Sequence, residues 1–304
     1  MPIVVQGVTK FYGDQKALDN VSFDVKTGQI VGFLGPNGAG KSTMMKIITG
    51  FIPASLGKVM INGIEISSDN PEIRKKIGYL PENNPLYPEM FIREYLEFIS
   101  GIYKLPLPRK KAVDDIIDLT GLSREQNKKI GALSKGFRQR VGLAQALIHD
   151  PEILILDEAT SGLDPNQIIE IRNLILQAGK EKTVLLSTHI MQEVEAICDR
   201  VIIIDKGIIV ANEIKADIYS TVNRKSQVVM VEFDKDVDSS DLAAIDKVIS
   251  VKPLKSRHWV LEATEEEDIR PNIFAFAVSK NIMVLSMQKQ ESNLEEVFRQ
   301  LTNK

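Results

Sequence analysis

The first part of the chain alternates short apolar runs with segments of helical spacing. Residues 3–8 and 21–25 alternate apolar with polar side chains, which predicts two antiparallel strands. Residues 30–34, 153–156 and 183–188 are nearly continuous apolar runs, a pattern typical of strands that are buried on both faces of a parallel sheet. The pattern therefore predicts a mixed α/β domain.

A helical insertion interrupts this α/β pattern. Residues 89–103 and 109–120 place apolar side chains at helical spacing, and a further helix is expected at 141–148. The strands at 201–205 and 208–210 close the domain. We therefore expect a nucleotide-binding domain at 1–215 with a helical subdomain at about 83–150.

The remaining residues predict a smaller second domain at 216–304, reached through a polar segment at 212–226. Its elements occur in the order β-α-β-β-α-β, which is typical of a ferredoxin-like α+β plait. The expected strands and helices are 228–233, 239–247, 249–253, 259–263, 269–279 and 282–288.

A glycine-rich loop lies between the strand at 30–34 and the helix that follows it. Glycines let the backbone approach a phosphate chain closely, and the following helix directs free amides and a positive dipole end toward it. Lys41 would reach the β- and γ-phosphates of a nucleotide, and Ser42 would bind Mg²⁺. The predicted phosphate-binding residues are Gly35, Pro36, Asn37, Gly38, Ala39, Gly40, Lys41, Ser42 and Thr43.

Charged side chains follow two of the predicted parallel strands. Asp157 and Glu158 end one apolar run, and His189 ends the next. Ligands of open α/β sheets bind at the carboxyl ends of their strands, so Asp157 would hold Mg²⁺ and Glu158 would deprotonate an attacking water. A solvated acidic pair in a loop would explain the two acids but not the apolar strand before them. His189 would reach the γ-phosphate.

Two further features have both a structural and a functional interpretation. Tyr12 would stack on an adenine ring, although an aromatic residue in this position also serves as edge packing. Ser134 and Gly136 open a predicted helix and form a second anion-binding end, while a plain serine N-cap explains Ser134 equally well. Two such helix ends suggest that each closes on a nucleotide held by a second copy of the chain.

Composition and charge exclude several classes of protein. The 38 Lys and Arg against 41 Asp and Glu give a net charge of −3, which does not indicate a nucleic-acid partner. No apolar run approaches the ~20 residues of a membrane span, and the first residues lack a signal-peptide pattern, so we expect a cytoplasmic protein unless a partner recruits it. Cys198, the single cysteine, is expected to be a small buried residue, and His149 and His258 are expected to be structural or exposed.

These motifs together resemble the nucleotide-binding subunit of ATP-binding-cassette (ABC) transporters over about residues 1–215. The phosphate loop is shared with other P-loop NTPases, and the signature-like segment 133–137 (Leu-Ser-Lys-Gly-Phe) indicates this family. The resemblance implies that Tyr12 stacks on the adenine of ATP and that Ser134 and Gly136 contact ATP bound to the opposite subunit.

The resemblance also implies roles for residues beyond the phosphate loop. Glu158 would be the catalytic base, His189 would be the γ-phosphate switch, and Asp164 would lie in the loop that links the two sites of a dimer. The chain departs from the usual signature at Lys135 and Phe137. It also has Glu82 where the family carries a glutamine that touches Mg²⁺, so Glu82 is a candidate metal ligand with an added negative charge.

The segment 78–87 and the Ser-Lys-Gly variant of the signature look like the ABC-2-type export branch, and they are most similar to gliding-motility-associated ATP-binding subunits. The segment 292–298 resembles the C-terminal extension of drug- and lipid-exporter ATPases. Neither resemblance indicates the cargo.

We therefore expect a Mg²⁺-ATP hydrolase that dimerises head to tail, as a homodimer or with a paralogous ATPase, and drives a separate integral membrane permease. It would sit on the inner face of the cell membrane through that permease. A soluble ABC ATPase that acts on ribosomes or DNA is the alternative, but the single cassette and the net charge disfavour it. A regulator that binds ATP without hydrolysing it is disfavoured by Glu158 and His189.

Overall fold

The computed structural model of the protein describes residues 2–66, 70–106, 108–215, 227–264 and 268–290, together with Phe298 and Thr302. The chain forms two compact units, Met1–Lys215 and Ala216–Lys304, and each has a hydrophobic core of its own. Within the described ranges, no helix is both long enough and apolar enough to cross a membrane.

The first unit is built from two sheets and the helices around them. Its strands are β1 (Ile3–Tyr12), β2 (Gln15–Val25), β3 (Ile30–Leu34), β4 (Leu56–Ile61), β5 (Ile64–Glu65), β6 (Ile77–Leu80), β7 (Ile153–Asp157), β8 (Thr183–Thr188), β9 (Arg200–Asp205) and β10 (Ile208–Ile214). Its helices are α1 (Lys41–Ile48), α2 (Pro71–Arg74), α3 (Ile92–Ile102), α4 (Lys110–Leu119), α5 (Lys135–Leu147), α6 (Pro165–Gly179) and α7 (Met191–Ile197), with a 3₁₀ helix at Ile130–Ala132.

The first sheet is antiparallel and has the order β2-β1-β4-β5. On β1, Ile3 and Val5 are buried at alternate positions, as expected for a strand with one face on the core. A register shift between Val5 and Val8 inserts one extra residue, which returns Val8 to the buried face. The two predicted antiparallel strands are therefore confirmed.

The second sheet has the order β10-β9-β3-β8-β7-β6, and all of its pairs are parallel except β10 with β9. β3, β7 and β8 are buried along their whole length, as their apolar runs predict. Because parallel strands end at the same edge of a sheet, the segments after β3, β6, β7 and β8 meet there. This edge carries the phosphate loop and the acidic residues.

The predicted helical insertion is confirmed, since α3, α4 and α5 lie between β6 and β7. The start expected for the last of these helices was wrong: α5 begins at Lys135 rather than at Val141. The Ser134 side chain accepts a hydrogen bond from the Phe137 amide at 3.4 Å, so it caps the helix and allows it to begin early. The signature segment therefore forms the first turn of α5.

β10 is longer than the pattern predicts. Asn212 and Ile214 pair with Ile202 and Arg200 of β9, so residues 212–214 belong to the sheet and not to a polar linker. Of the expected linker, Lys215 is also described, and residues 216–226 lie outside the described residues. The segment 292–297 of the closing motif also lies outside them.

The second unit is a four-stranded antiparallel sheet with the strand order of a ferredoxin-like plait. It contains β11 (Gln227–Phe233), α8 (Ser239–Ala243), β12 (Val248–Lys255), β13 (His258–Ala263), α9 (Arg270–Ser279) and β14 (Val284–Gln290), with the sheet order β12-β13-β11-β14. Its core includes Val229, Phe233 and Leu261. The helix expected at 239–247 ends at Ala243, and Lys247 has a φ of 71° that no α-helix accommodates.

Candidate functional site

The glycine loop between β3 and α1 has a backbone that only glycine fits. Gly38 and Gly40 have φ values of 82° and 105°. A Cβ at Gly40 would lie 2.7 Å from the Ala17 carbonyl oxygen, and one at Gly35 would lie 2.5 Å from the Ile204 carbonyl oxygen. The loop is therefore held against two strands while the first amides of α1 stay free for an anion.

Lys41 is the buried cation of this loop. Its Nζ donates hydrogen bonds to the carbonyl oxygens of Gly35 at 2.8 Å and Pro36 at 3.2 Å. The same ammonium lies 3.5 Å from Glu158 Oε1. Lys41 therefore joins the phosphate loop to the acid that follows β7.

The Glu158 carboxylate lies between the Lys41 ammonium and the His189 imidazole. It is buried, and its Oε2 lies 2.8 Å from His189 Nδ1 while Oε1 faces Lys41. Its amide donates to the Ser187 carbonyl at 2.9 Å, and its φ is 53°, an uncommon value for a residue other than glycine. The ends of β7 and β8 thus fix Glu158 in a defined orientation.

Asp157 lies beneath this group and is almost completely buried. Burial raises the pKa of its carboxyl above the ordinary value, the hydroxyls of Ser187 and Ser42 oppose the rise, and the charges of Glu82 and Glu158 add to it. Its Oδ1 has no hydrogen-bond partner. A buried oxygen of this kind suits a hard cation, and Ser42 and Glu82 supply further oxygens nearby.

A divalent cation in this place would depend on more than protein ligands. Among the described residues, no group of three or more His, Cys, Asp or Glu side chains is arranged as a metal cluster. Mg²⁺ usually keeps several waters and binds through one or two side chains together with substrate phosphates. The residues present therefore fit Mg²⁺ carried with a nucleotide.

A cavity of about 690 Å³ opens over the phosphate loop. It collects residues from both sheets that are distant in the sequence. Its lining consists of Tyr12, Gln15, Lys16, Ala17, Asn37, Gly38, Gly40, Lys41, Ser42, Thr43, Glu82, Glu158, Ser161, His189 and Lys206. Tyr12 is 49% exposed there, so its ring is available to a planar ligand. Most of the predicted site residues thus lie in one place.

Five of the lining residues were not predicted from the sequence: Gln15, Lys16, Ala17, Ser161 and Lys206. The turn between β9 and β10 carries Lys206 to the cavity, and Gly207 in that turn donates to the Ala39 carbonyl at 3.0 Å. Gln15, Lys16, Ala17 and Lys206 come from neighbouring hairpins, and Ser161 comes from the loop between β7 and α6. No local motif marks them.

Seven predicted residues do not line this cavity. Gly35, Pro36 and Ala39 support the loop from behind, and Asp157 lines an adjoining cavity of about 460 Å³ that also touches Ser42 and Glu82. The other three, Ser134, Gly136 and Asp164, lie elsewhere in the same chain.

Ser134, Gly136 and Asp164 belong to a second cluster, where the first turns of α5 and α6 meet. Asp164 accepts hydrogen bonds from the amides of Asn166 and Gln167, both at 3.1 Å, and so caps α6. A Cβ on Gly136 would overlap the Gln167 side chain. One chain alone therefore does not bring its signature residues to its own phosphate loop.

The remaining candidate residues have structural roles. Cys198 is buried, and burial raises the pKa of its thiol to about 12. His149 stacks on Tyr103 with 3.8 Å between ring centroids, and its Nε2 lies 3.2 Å from the Ile77 carbonyl. His258 is partly exposed and lies 3.5 Å from Glu232. The predictions for these three residues are confirmed.

Two relatives are similar in sequence to nearly the whole chain. A family model described as ABC transporter matches residues 18–161. The linearmycin resistance ATP-binding protein LnrL of Bacillus subtilis (strain 168) is 33% identical over 307 residues, covering 98% of this chain and 97% of the relative. The bacitracin transport ATP-binding protein BcrA of Bacillus licheniformis is 34% identical over 300 residues, covering 97% and 95%.

Solved structures give the same result over about 70% of the chain. An ATP-binding subunit of an ABC transporter has a TM-score of 0.66 and 31% identity, covering 73% of this chain and 93% of that chain. A dimeric ATP-binding cassette in a post-hydrolysis state, bound to ADP and Pi, has a TM-score of 0.65 and 30% identity, covering 70% and 98%.

The predicted ABC ATPase fold, ATP binding and ATPase activity are confirmed by these similarities, and the names of the two relatives agree with the exporter branch. The similarity to gliding-motility subunits stays a prediction. The chain belongs to the ATP-binding subunits of ABC transporters.

Proposed function

We propose that this chain hydrolyses Mg²⁺-ATP between two head-to-tail subunits and thereby drives a separate membrane permease in export. The observation that carries the proposal is the continuous contact from Lys41 through Glu158 to His189 at the mouth of the phosphate loop. A cation, a carboxylate and an imidazole in mutual contact beside the loop support a γ-phosphate site there.

In the proposed reaction, a water attacks the γ-phosphorus of ATP and Glu158 accepts a proton from that water. The bond between the γ-phosphorus and the bridging oxygen breaks, and ADP leaves with the bonding electron pair. Lys41 stabilises the negative charge on the phosphate oxygens, and His189 donates a hydrogen bond toward them. Phosphoryl transfer depends mostly on positioning and charge stabilisation, and these three side chains are what one chain would place around the γ-phosphate.

Mg²⁺ would be held by Ser42 and Asp157 with Glu82 beside them. When bound, the ion neutralises charge on the β- and γ-phosphates. Burial of Asp157 and the unpartnered Oδ1 support this assignment, since a cation would satisfy that oxygen and favour its charged form. Tyr12 would stack on the adenine ring from the open side of the cavity.

A second subunit would supply what the cavity of one chain lacks. Ser134 is exposed at the start of α5 and lies outside the nucleotide cavity of its own chain. We propose that Ser134 and Gly136 contact the γ-phosphate of ATP on the neighbour, with Asp164 in the loop between the two sites. The dimeric state of a related solved cassette supports this arrangement.

The permease would bind beside the Glu82 loop and the helical insertion, on the inner face of the cell membrane. The cavity of about 460 Å³ there is lined by aromatic and polar side chains, including Tyr79, Tyr103 and Phe51, of which Phe51 is 73% exposed. An exposed aromatic beside an open groove is typical of a protein contact. The second domain, 216–304, would contribute to dimerisation or regulation.

The test compares purified full-length wild type with Glu158→Gln, using Glu181→Gln as a matched exposed control. Loss of a general base should lower Mg²⁺-ATP turnover by about 10²- to 10⁴-fold. ATP binding should persist, so Glu158→Gln should accumulate as an ATP-bound dimer measured by light scattering. Turnover equal to wild type would exclude Glu158 as the base, and failure of both proteins to dimerise with ATP would exclude the homodimer.

A further inference from the structure

Glu193 is a buried acid that the proposed reaction does not use. It lies on α7, and its side chain is only 1% exposed. Acidic side chains are almost never fully buried unless they are paired, because removing a charge from water is unfavourable. A specific contact must therefore account for its position.

That contact leads directly to the residues around His189. The Thr188 hydroxyl donates a hydrogen bond to Glu193 Oε2 at 2.7 Å. The same hydroxyl oxygen accepts a hydrogen bond from the Ile190 amide at 3.0 Å. Thr188 and Ile190 flank His189 in the chain, so Glu193 fixes the backbone on both sides of the imidazole.

The rest of the Glu193 carboxyl is poorly satisfied. Oε1 has no hydrogen-bond partner, and neither has the buried Nε of Arg172 on α6. Burial raises the pKa of Glu193, the Thr188 hydroxyl and Arg172 oppose the rise, and the charge of Glu158 adds to it. A buried carboxyl with one unsatisfied oxygen destabilises the folded state, so its hydrogen bond to Thr188 calls for a functional explanation.

We propose that Glu193 is the positioning residue for His189: by accepting the Thr188 hydroxyl bond, it holds the 188–190 turn so that His189 Nδ1 stays on Glu158. This inference rests on the roles proposed above for Glu158 and His189. Glu193 itself touches neither the water nor the phosphate. Its effect passes through Thr188 and the backbone to the imidazole, which lies 2.8 Å from Glu158.

The test uses two pairs of variants in the full-length protein. Glu193→Ala and Thr188→Val remove the hydrogen bond, whereas Glu193→Gln and Thr188→Ser keep an acceptor and a donor in place. A displacement of 1 Å at a catalytic group typically lowers turnover by about 10²-fold, so kcat should fall by about 10- to 100-fold in the first pair. The second pair should stay within a few fold of wild type, and Gln192→Ala, on the exposed face of α7, is the control.

ATP affinity separates a positioning role from general damage. Tyr12 and the phosphate loop do not contact Glu193, so the Kd for ATP should not change in any of these variants, while kcat does. The double variant Thr188→Val with Glu193→Ala should be no slower than either single variant, since both remove one and the same bond. Melting temperatures should be measured throughout to verify folding.

Each alternative outcome has a definite meaning when His189→Ala is measured in parallel. Wild-type kcat in Glu193→Ala together with a slow His189→Ala would overturn the positioning role alone. Wild-type kcat in His189→Ala would instead overturn the proposed catalytic roles. A Glu193→Gln variant as slow as Glu193→Ala, or a parallel loss of ATP affinity, would also overturn the inference, because neither follows from a lost hydrogen-bond acceptor.

Discussion

Glu158 and His189 are 31 residues apart in the sequence, yet Oε2 of one lies 2.8 Å from Nδ1 of the other. The parallel pairing of β7 with β8 produces this contact, since Asp157 pairs with Ser187 at the ends of the two strands. The residues that follow must then share one edge of the sheet.

Replacing Tyr12 with alanine should weaken ATP binding. A base stacked on an aromatic side chain contributes about 1–3 kcal/mol by alanine substitution, so Kd should rise by about 5- to 150-fold. Tyr12→Phe should bind like wild type because it keeps the ring. Phe11→Ala is the control, since Phe11 is also exposed but does not line the cavity.

Titration calorimetry in metal-free buffer would measure these constants. Inorganic triphosphate should bind wild type and Tyr12→Ala equally, since it has no base to stack. Equal loss for ATP and triphosphate would contradict a stacking role for Tyr12.

The Glu82→Gln variant should need more Mg²⁺. If the Glu82 carboxylate supports the ion, the Mg²⁺ concentration for half-maximal ATP turnover should rise by about 10-fold, the lower end of the loss typical for side chains that support a metal. The KM for ATP at saturating Mg²⁺ should not change. Glu97→Gln, an exposed acid on α3, is the control, and an unchanged Mg²⁺ requirement would remove Glu82 from the metal site.

Asp157→Asn should make the metal-free protein more stable at neutral pH. Burial raises the pKa of Asp157, so between its unfolded and folded pKa values the native state binds more protons than the unfolded chain. The free energy of unfolding of wild type therefore falls as pH rises through that window. The variant has no such loss of stability and should be more stable than wild type at pH 8, by about 1.4 kcal/mol for each pH unit that separates the folded and unfolded pKa values of Asp157.

Urea unfolding in metal-free buffer would check this expectation. The gain should shrink as the pH is lowered through the raised pKa, since the wild-type carboxyl is then protonated in the native state. Asp115→Asn, at an exposed site on α4, should show no such trend. A less stable Asp157→Asn at pH 8 would contradict the argument. Its Mg²⁺-ATP turnover should still fall, since the cation loses a carboxylate.

A chain shortened to residues 1–215 should fold and bind ATP, because the first unit has its own core. If the second domain contributes to dimerisation, the shortened chain should self-associate more weakly than the full chain at equal concentration and with ATP present. Light scattering and Mg²⁺-ATP turnover measure the two properties. Unchanged self-association, turnover and permease binding would remove any dimerising or regulatory role from 216–304.

The sequence predicted those parts of the site that depend on local pattern. The loop around Gly38 and Gly40 was predictable because its conformation requires glycine wherever it occurs, and β7 and β8 were predictable because buried parallel strands need continuous apolar runs. The positions of Lys206 and Lys16 in the cavity lining were not predictable, since they depend on how separate hairpins pack. The boundaries of α5 and α8 were missed because caps and turns, not periodicity, set helix ends.

The packing of α5 on α6 has a mechanical consequence. The Gln167 side chain fills the space that a Cβ on Gly136 would take, and Arg140 of α5 forms an ion pair with Glu170 of α6, so the starts of the two helices are joined. α6 follows Glu158 after only a short loop, and Ser134, at the start of α5, is the residue proposed to contact ATP on the neighbouring subunit. In the proposed head-to-tail dimer, the joined helices would connect Glu158 in one ATP site with Ser134 in the other. A movement at one site would then displace groups at the other, so the two hydrolysis events would be coupled and not independent.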